Sequence, residues 1–96
     1  MKNKENNMNA LTIVNTINQK LRNYEELKPK YPIAVRFHFF NRESRWSIVM
    51  DSGFKVQVVE DHLLEIQNNK KSSLIDTKNV ILIDFIQSIY LKDQDL

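Results

Sequence analysis

Arg36, His38 and Phe40 stand at alternate positions and carry the most suggestive chemistry in the chain. In an extended segment, alternate side chains share one face. That face would hold a guanidinium, an imidazole and an aromatic ring together. Arg45 and Ser47 project the same way if a simple hairpin lays the next strand beside the first, and Arg42 lies in the loop between them. Cations interleaved with an exposed ring suit nucleic acid, RNA more than DNA, because phosphates take the charge while the ring and the guanidinium planes offer stacking surfaces. Each base stacked on an aromatic is worth ~1–3 kcal/mol by truncation. Lys70 and Lys71, in an Asn-rich stretch, extend the set of phosphate contacts. The alternative is structural. In a sheet packed on both faces Phe40 is core, His38 is a hydrogen-bonded strand histidine and Arg36 lays its stem along apolar surface. A two-lysine loop tip then serves solubility. Trp46 alternates with Ile48 and Met50 and reads as core, although with Tyr24, Tyr31 and Tyr90 it could build an interface patch.

Catalytic and metal chemistry finds no comparable support. The two histidines, His38 and His62, sit in no motif with ligand spacing. The absence of cysteine excludes disulfides, thiolate metal sites and cysteine nucleophiles. A single glycine, Gly53, cannot make a glycine-rich phosphate loop, and there is no nucleophile elbow. The acid pairs Glu25-Glu26 and Glu60-Asp61 read as solvated surface, since a perturbed catalytic acid needs burial or partners. The expectation is a non-catalytic protein with no cofactor and no metal.

The elements that must position the basic face follow from hydrophobic periodicity. Ala10, Ile13/Val14, Ile17, Leu21, Tyr24 and Leu27/Lys28 recur at spacings of three and four, which predicts an amphipathic helix. Asn9 is a natural N-cap, and Pro29 ends the helix by disfavouring helical geometry at Lys28. Ile33–Phe40 alternates as a half-buried strand with Ile33, Val35, Phe37 and Phe39 inward. The polar Asn41–Ser44 stretch is a hairpin loop. A second strand covers Arg45–Asp51, Asp51-Ser52-Gly53 makes a tight turn requiring positive φ, and a third strand runs Phe54–Val59 with Phe54, Val56 and Val58 inward. These three strands read as an antiparallel meander. His62–Gln67 fits a strand or a short helix. Residues 68–73 form a loop, and residues 80–91 fit either strands or a helix.

Val80-Ile81-Leu82-Ile83, Asp84-Phe85-Ile86 and Gln87-Ser88-Ile89-Tyr90-Leu91 together resemble the strand, one-turn helix, strand ending of small Sm-like and SH3-like barrels. The basic and histidine residues of the bacterial Sm-like signature have no counterparts there, since Asp84 and Phe85 stand in that stretch. The resemblance implies a fold and no activity. The expected architecture is α+β: an N-terminal helix followed by a small, strongly bent antiparallel sheet or barrel of about five strands. The alternative is a helix, three strands and a closing helix, the order of a double-stranded-RNA-binding domain, whose basic last-helix segment is missing here because only Lys78 precedes Val80.

Composition sets the frame. At 96 residues the chain has the length of one domain, with residues 1–8 as a disordered lead, 9–92 as the folded unit and 93–96 as a frayed tail. The polar first residues lack the apolar core of a signal peptide, and no apolar run approaches a membrane span. With no disulfides these features suggest a cytoplasmic protein. Net charge is only +2, yet it is unevenly distributed. Residues 20–55 hold eight Lys/Arg against four acids, and residues 56–96 hold four Lys against seven acids. Such polarity would orient a partner. RNA or another nucleic acid comes first. A protein partner comes second, for a small inhibitor or adaptor carried by a phage, plasmid or other mobile element, where Asn-, Lys- and Ile-rich usage is common. A homo-oligomer through strand edges or the N-terminal helix would give so small a chain more buried area.

Overall fold

The computed structural model describes residues 9–27, 30–40 and 45–91. The expected lead and tail, the Pro29 helix stop and the Asn41–Ser44 loop with Arg42 lie outside them. Among the described residues one helix, α1 (Ala10–Leu27), precedes six strands: β1 (Ile33–Phe39), β2 (Trp46–Val49), β3 (Lys55–Glu60), β4 (Leu63–Gln67), β5 (Ser72–Asp76) and β6 (Val80–Gln87). They form two three-stranded antiparallel sheets of order β2-β1-β6 and β3-β4-β5. The α+β expectation holds, with six strands in place of about five and the sheet left unclosed.

The helix forms as its stripe requires. The Asn9 side-chain oxygen accepts the Thr12 N–H at 2.8 Å, capping a first turn whose amides have no helical partner. The Ala10 N–H donates to the Asp61 carbonyl at 2.9 Å, which ties the helix start to the β3–β4 turn. Ala10, Ile13, Val14 and Ile17 are buried, and Leu21 and Tyr24 pack at the margin. The stripe lies mainly on β3, with a smaller contact to β4. The rest of the core comes from the two sheets, Ile33, Val35, Phe37, Ile48 and Val80 from one and Leu64, Ile66 and Ile75 from the other, with Met50 just after β2. Full burial of one such side chain stabilises the fold by ~1.5–3 kcal/mol.

The chain changes sheets between β2 and β3, which corrects the expected meander. Gly53, with φ of +83°, sits in a turn closed by the Phe54 N–H to the Asp51 carbonyl at 3.0 Å. Beyond it β3 finds its partner downstream, because the two-residue turn Asp61-His62 folds β4 directly back on it. A bulge accompanies that hairpin: Val58 opposes Leu64 and Glu60 opposes Leu63, leaving Val59 as the extra residue. Val58, expected inward, is exposed, as is Val59.

The C-terminal third also differs from its expected layout. Residues 80–87 are one continuous strand, and the one-turn 3-10 helix precedes it at Thr77–Asn79, followed by a second at Ser88–Tyr90. Asp84 does not interrupt β6, because β1 supplies partners for its carboxylate. The strand, one-turn helix, strand pattern does occur, but as β5, Thr77–Asn79 and β6.

Candidate nucleic-acid interface

The register of the first sheet builds the outward face row by row. Arg36 stands opposite Ser47 on β2 and Asp84 on β6, and His38 stands opposite Leu82. Arg36 engages Asp84 with two parallel hydrogen bonds, Nε to Oδ1 at 3.0 Å and a terminal nitrogen to Oδ2 at 2.6 Å. His38 Nε2 lies 3.1 Å from the same Oδ1. The Arg36 hydrogen bond is the main reason the Asp84 carboxyl is held below the usual carboxylate range; desolvation opposes it, and the His38 contact adds to it. Arg36 and His38 are thus brought together as expected, around an acid from a strand 48 residues away.

Phe40 follows β1, its N–H donating to the Asn79 carbonyl at 2.9 Å. Phe40 is 57% exposed, in contrast to Phe37, which is fully buried. The bulge at this end of the sheet belongs to β6 and leaves the alternation of β1 unchanged. His38 opposes Leu82 while Phe39 opposes Val80, so Ile81 is the extra residue and it is β6 whose alternation slips there. Arg45 is half-buried just before β2. Arg42 falls outside the described residues.

Lys70 and Lys71 part company. Asn68 organises their loop: its side-chain oxygen accepts the Lys70 and Lys71 backbone N–H groups at 2.8 and 3.1 Å, and its amide donates to the Val49 carbonyl at 2.9 Å. Lys71 turns inward, where its amine donates to the Ser47 carbonyl and lies 4.7 Å from the centre of the Trp46 ring. Desolvation there lowers its pKa. Lys70 is exposed. Trp46 packs on Phe37, with ring centres 5.8 Å apart, and is part of the core margin.

Sequence reasoning missed Asp84 as the organiser of the face. A single acid within the apolar run of β6 was the available signal, but its partners are set by register between distant strands. Among the described residues no group of His, Cys, Asp and Glu could hold a metal ion, and no helix is long and apolar enough to cross a membrane. A scan against protein-family models matches none, and searches of curated proteins and of solved structures return no significant match.

Proposed function

We propose that this chain is a small non-catalytic regulator in the cytoplasm that binds nucleic acid, RNA in preference to DNA. The observation that carries the reading is the exposed Phe40 ring, set at the end of the Arg36–His38 row in the basic part of the chain. Arg36 serves this surface by fixing its geometry, because its guanidinium is paired with Asp84. Phe40 offers the stacking plane, and Arg42, Arg45 and Lys70 are the cations for phosphate, with His38 beside them. Stacking on a ring is tolerant of base identity, which fits a binder of single strands.

An electrophoretic shift with mixed cellular RNA tests the proposal. Binding should weaken with salt as phosphate contacts are lost. Phe40→Ala should reduce affinity roughly 5- to 150-fold, the loss of one stacked base, without changing the unfolding midpoint. No shift at low salt removes the reading.

A second reading rests on a different observation. The outer edges of β5 and β6 pair with no strand among the described residues, and their Leu74, Ile81 and Leu82 are exposed. Open apolar edges accept an added strand, from a protein partner or a second copy. The α1 stripe is less suited to that task because it is covered by β3 and β4. A pull-down returning one stoichiometric protein and no nucleic acid would favour this reading over the first.

A further inference from the structure

Among the described residues β5 forms one edge of the second sheet. The two ends of its ladder with β4 fix which way its backbone groups point. The Asn68 N–H donates to the Lys71 carbonyl at 2.9 Å, and the Thr77 N–H donates to the His62 carbonyl at 2.9 Å. Backbone groups turn alternately to the two sides of an antiparallel strand. Lys71, Ser73, Ile75 and Thr77 therefore face β4, and the N–H and C=O groups of Ser72, Leu74 and Asp76 face away from it. The side chains of these three are exposed, whereas Ile75 is buried. No proline, lysine or bulge blunts the five residues, and Leu74 at their centre is 61% exposed. A cavity of about 280 Å³ lies along the same edge, between residues 73–76 and the half-buried rings of Phe39 and Trp46. A strand laid against β5 would roof it.

This edge complements itself. Two copies of β5, antiparallel about a two-fold axis at Leu74, overlap along the whole strand. Leu74 then stands opposite the second copy's Leu74, and Ser72 opposite the second copy's Asp76. Each is a hydrogen-bonded pair, because all three residues turn their backbone groups outward. On the exposed face the two leucines meet at the axis, flanked on each side by a Ser72 hydroxyl facing an Asp76 carboxylate. Asp76 Oδ1 takes the Lys78 N–H at 3.0 Å within its own chain, which leaves the second oxygen for that hydroxyl. The open edge of β6 is a poor match. The Ser88 N–H donates to the Pro32 carbonyl at 2.9 Å, so on β6 it is Ile83, Phe85 and Gln87 that turn their backbone groups outward. The side chains of Ile83 and Phe85 pack against the core. Bonding them to Leu74 would run the exposed face of one sheet into the buried face of another. We propose, resting on the open-edge reading above, that β5 pairs with β5 of a second copy in the register centred on Leu74. One isologous contact closes on itself, so the product is a dimer.

The chain contains no cysteine, so single-thiol variants of the full chain report the register cleanly. Residues in a hydrogen-bonded antiparallel pair have Cα atoms about 5.5 Å apart, a separation that a disulfide spans. Leu74→Cys should therefore cross-link to itself in air. Ser72→Cys alone should not, whereas Ser72→Cys mixed with Asp76→Cys should give the mixed dimer. Sedimentation equilibrium of the wild type should show monomer and dimer exchanging with concentration. Leu74→Lys sets two like charges at the axis and should weaken the dimer at least about tenfold, with the unfolding midpoint nearly unchanged. Ser72→Lys serves if Leu74→Lys misfolds, and should tighten the dimer roughly two- to thirtyfold through two exposed pairs with Asp76. A wild type that stays monomeric at about 1 mM overturns the proposal. So does a dimer that is equally tight in Leu74→Lys and gives no Leu74→Cys cross-link. If the chain is monomeric but its β5 amides become protected from exchange in a complex with another protein, the second copy falls and the open-edge reading stands. If those amides exchange freely both alone and in such a complex, both fall.

Discussion

The outer edge of β2 and the outer edges of β5 and β6 receive opposite treatment. At β2 the carbonyls of Ser47 and Val49 that point away from β1 are taken by side chains reaching across from the second sheet, Lys71 and Asn68. At β5 and the first half of β6 there is no such cover among the described residues, and Leu74, Ile81 and Leu82 stand exposed beside backbone with no strand partner. An unpaired edge is a template for further pairing unless charge, proline, a bulge or a covering group blunts it. The first edge is thus sealed within the fold. The others are left available, with only the Ile81 bulge to disturb them. One short loop, 68–71, thus does for β2 the work of an added strand.

The contrast can be broken most strongly at Asn68. Its side chain makes three hydrogen bonds, to Val49, Lys70 and Lys71. Asn68→Ala should destabilise the protein by about 2–4 kcal/mol at about 1 kcal/mol per bond, read as a lowered urea midpoint, and should uncover the Val49 carbonyl on the edge of β2. A variant as stable as the wild type would show that the loop does not seal that edge.

Gly53→Ala should follow at about 1–2 kcal/mol, the cost of a left-handed backbone for a residue with a side chain. The new Cβ would also fall 2.0 Å from the Asn69 side-chain oxygen, so that side chain must move. The change loosens the same loop from the other side, and thermal unfolding would register it.

Asp84→Asn sharpens the comparison on β6, where Asp84 is the only charged residue. Half-exposed as it is, the pair with Arg36 should contribute only about 1 kcal/mol. The pH dependence carries more information. Because the folded-state pKa is depressed, this contribution is fully present above about pH 4 and is lost as pH falls through the folded value. The variant should therefore be less stable at neutral pH, with the gap closing in acid. Parallel curves for the two proteins across the acid range would contradict the assignment.

The smallest change in stability belongs to Leu74→Lys. The side chain is 61% exposed and stands opposite Glu65 on β4, so the fold should change by less than about 0.5 kcal/mol. Light scattering should nevertheless show less self-association at high concentration. Unchanged scattering from an associating wild type would mean that the β5 edge is not the contact.

The sequence made α1 and β1 legible because each writes its own period: Ala10, Ile13, Ile17 at helical spacing, and Val35, Phe37 in alternation. It made Asn9 and Gly53 legible because a cap and a positive φ are local demands. It did not reveal β5, whose five residues include only Leu74 and Ile75 as apolar members and gain strand geometry from pairing with β4. Nor did it show β6 as continuous, because what keeps Asp84 in a strand lies on β1. The basic face was legible as a face, since Arg36 and His38 do share it. Its charge balance was not, since an ion pair between distant strands leaves no trace in local spacing. The division of labour between Lys70 and Lys71 was hidden for the same reason.

The first amide of a helix ordinarily faces water and trades its proton freely. In this fold the Ala10 N–H is buried and bonded to the corner between β3 and β4. End fraying of α1 therefore cannot proceed without opening that corner. Deuterium uptake at residue 10 should be slow for a helix start, and should keep pace with uptake in the β3–β4 hairpin, marking helix and second sheet as a single cooperative opening unit.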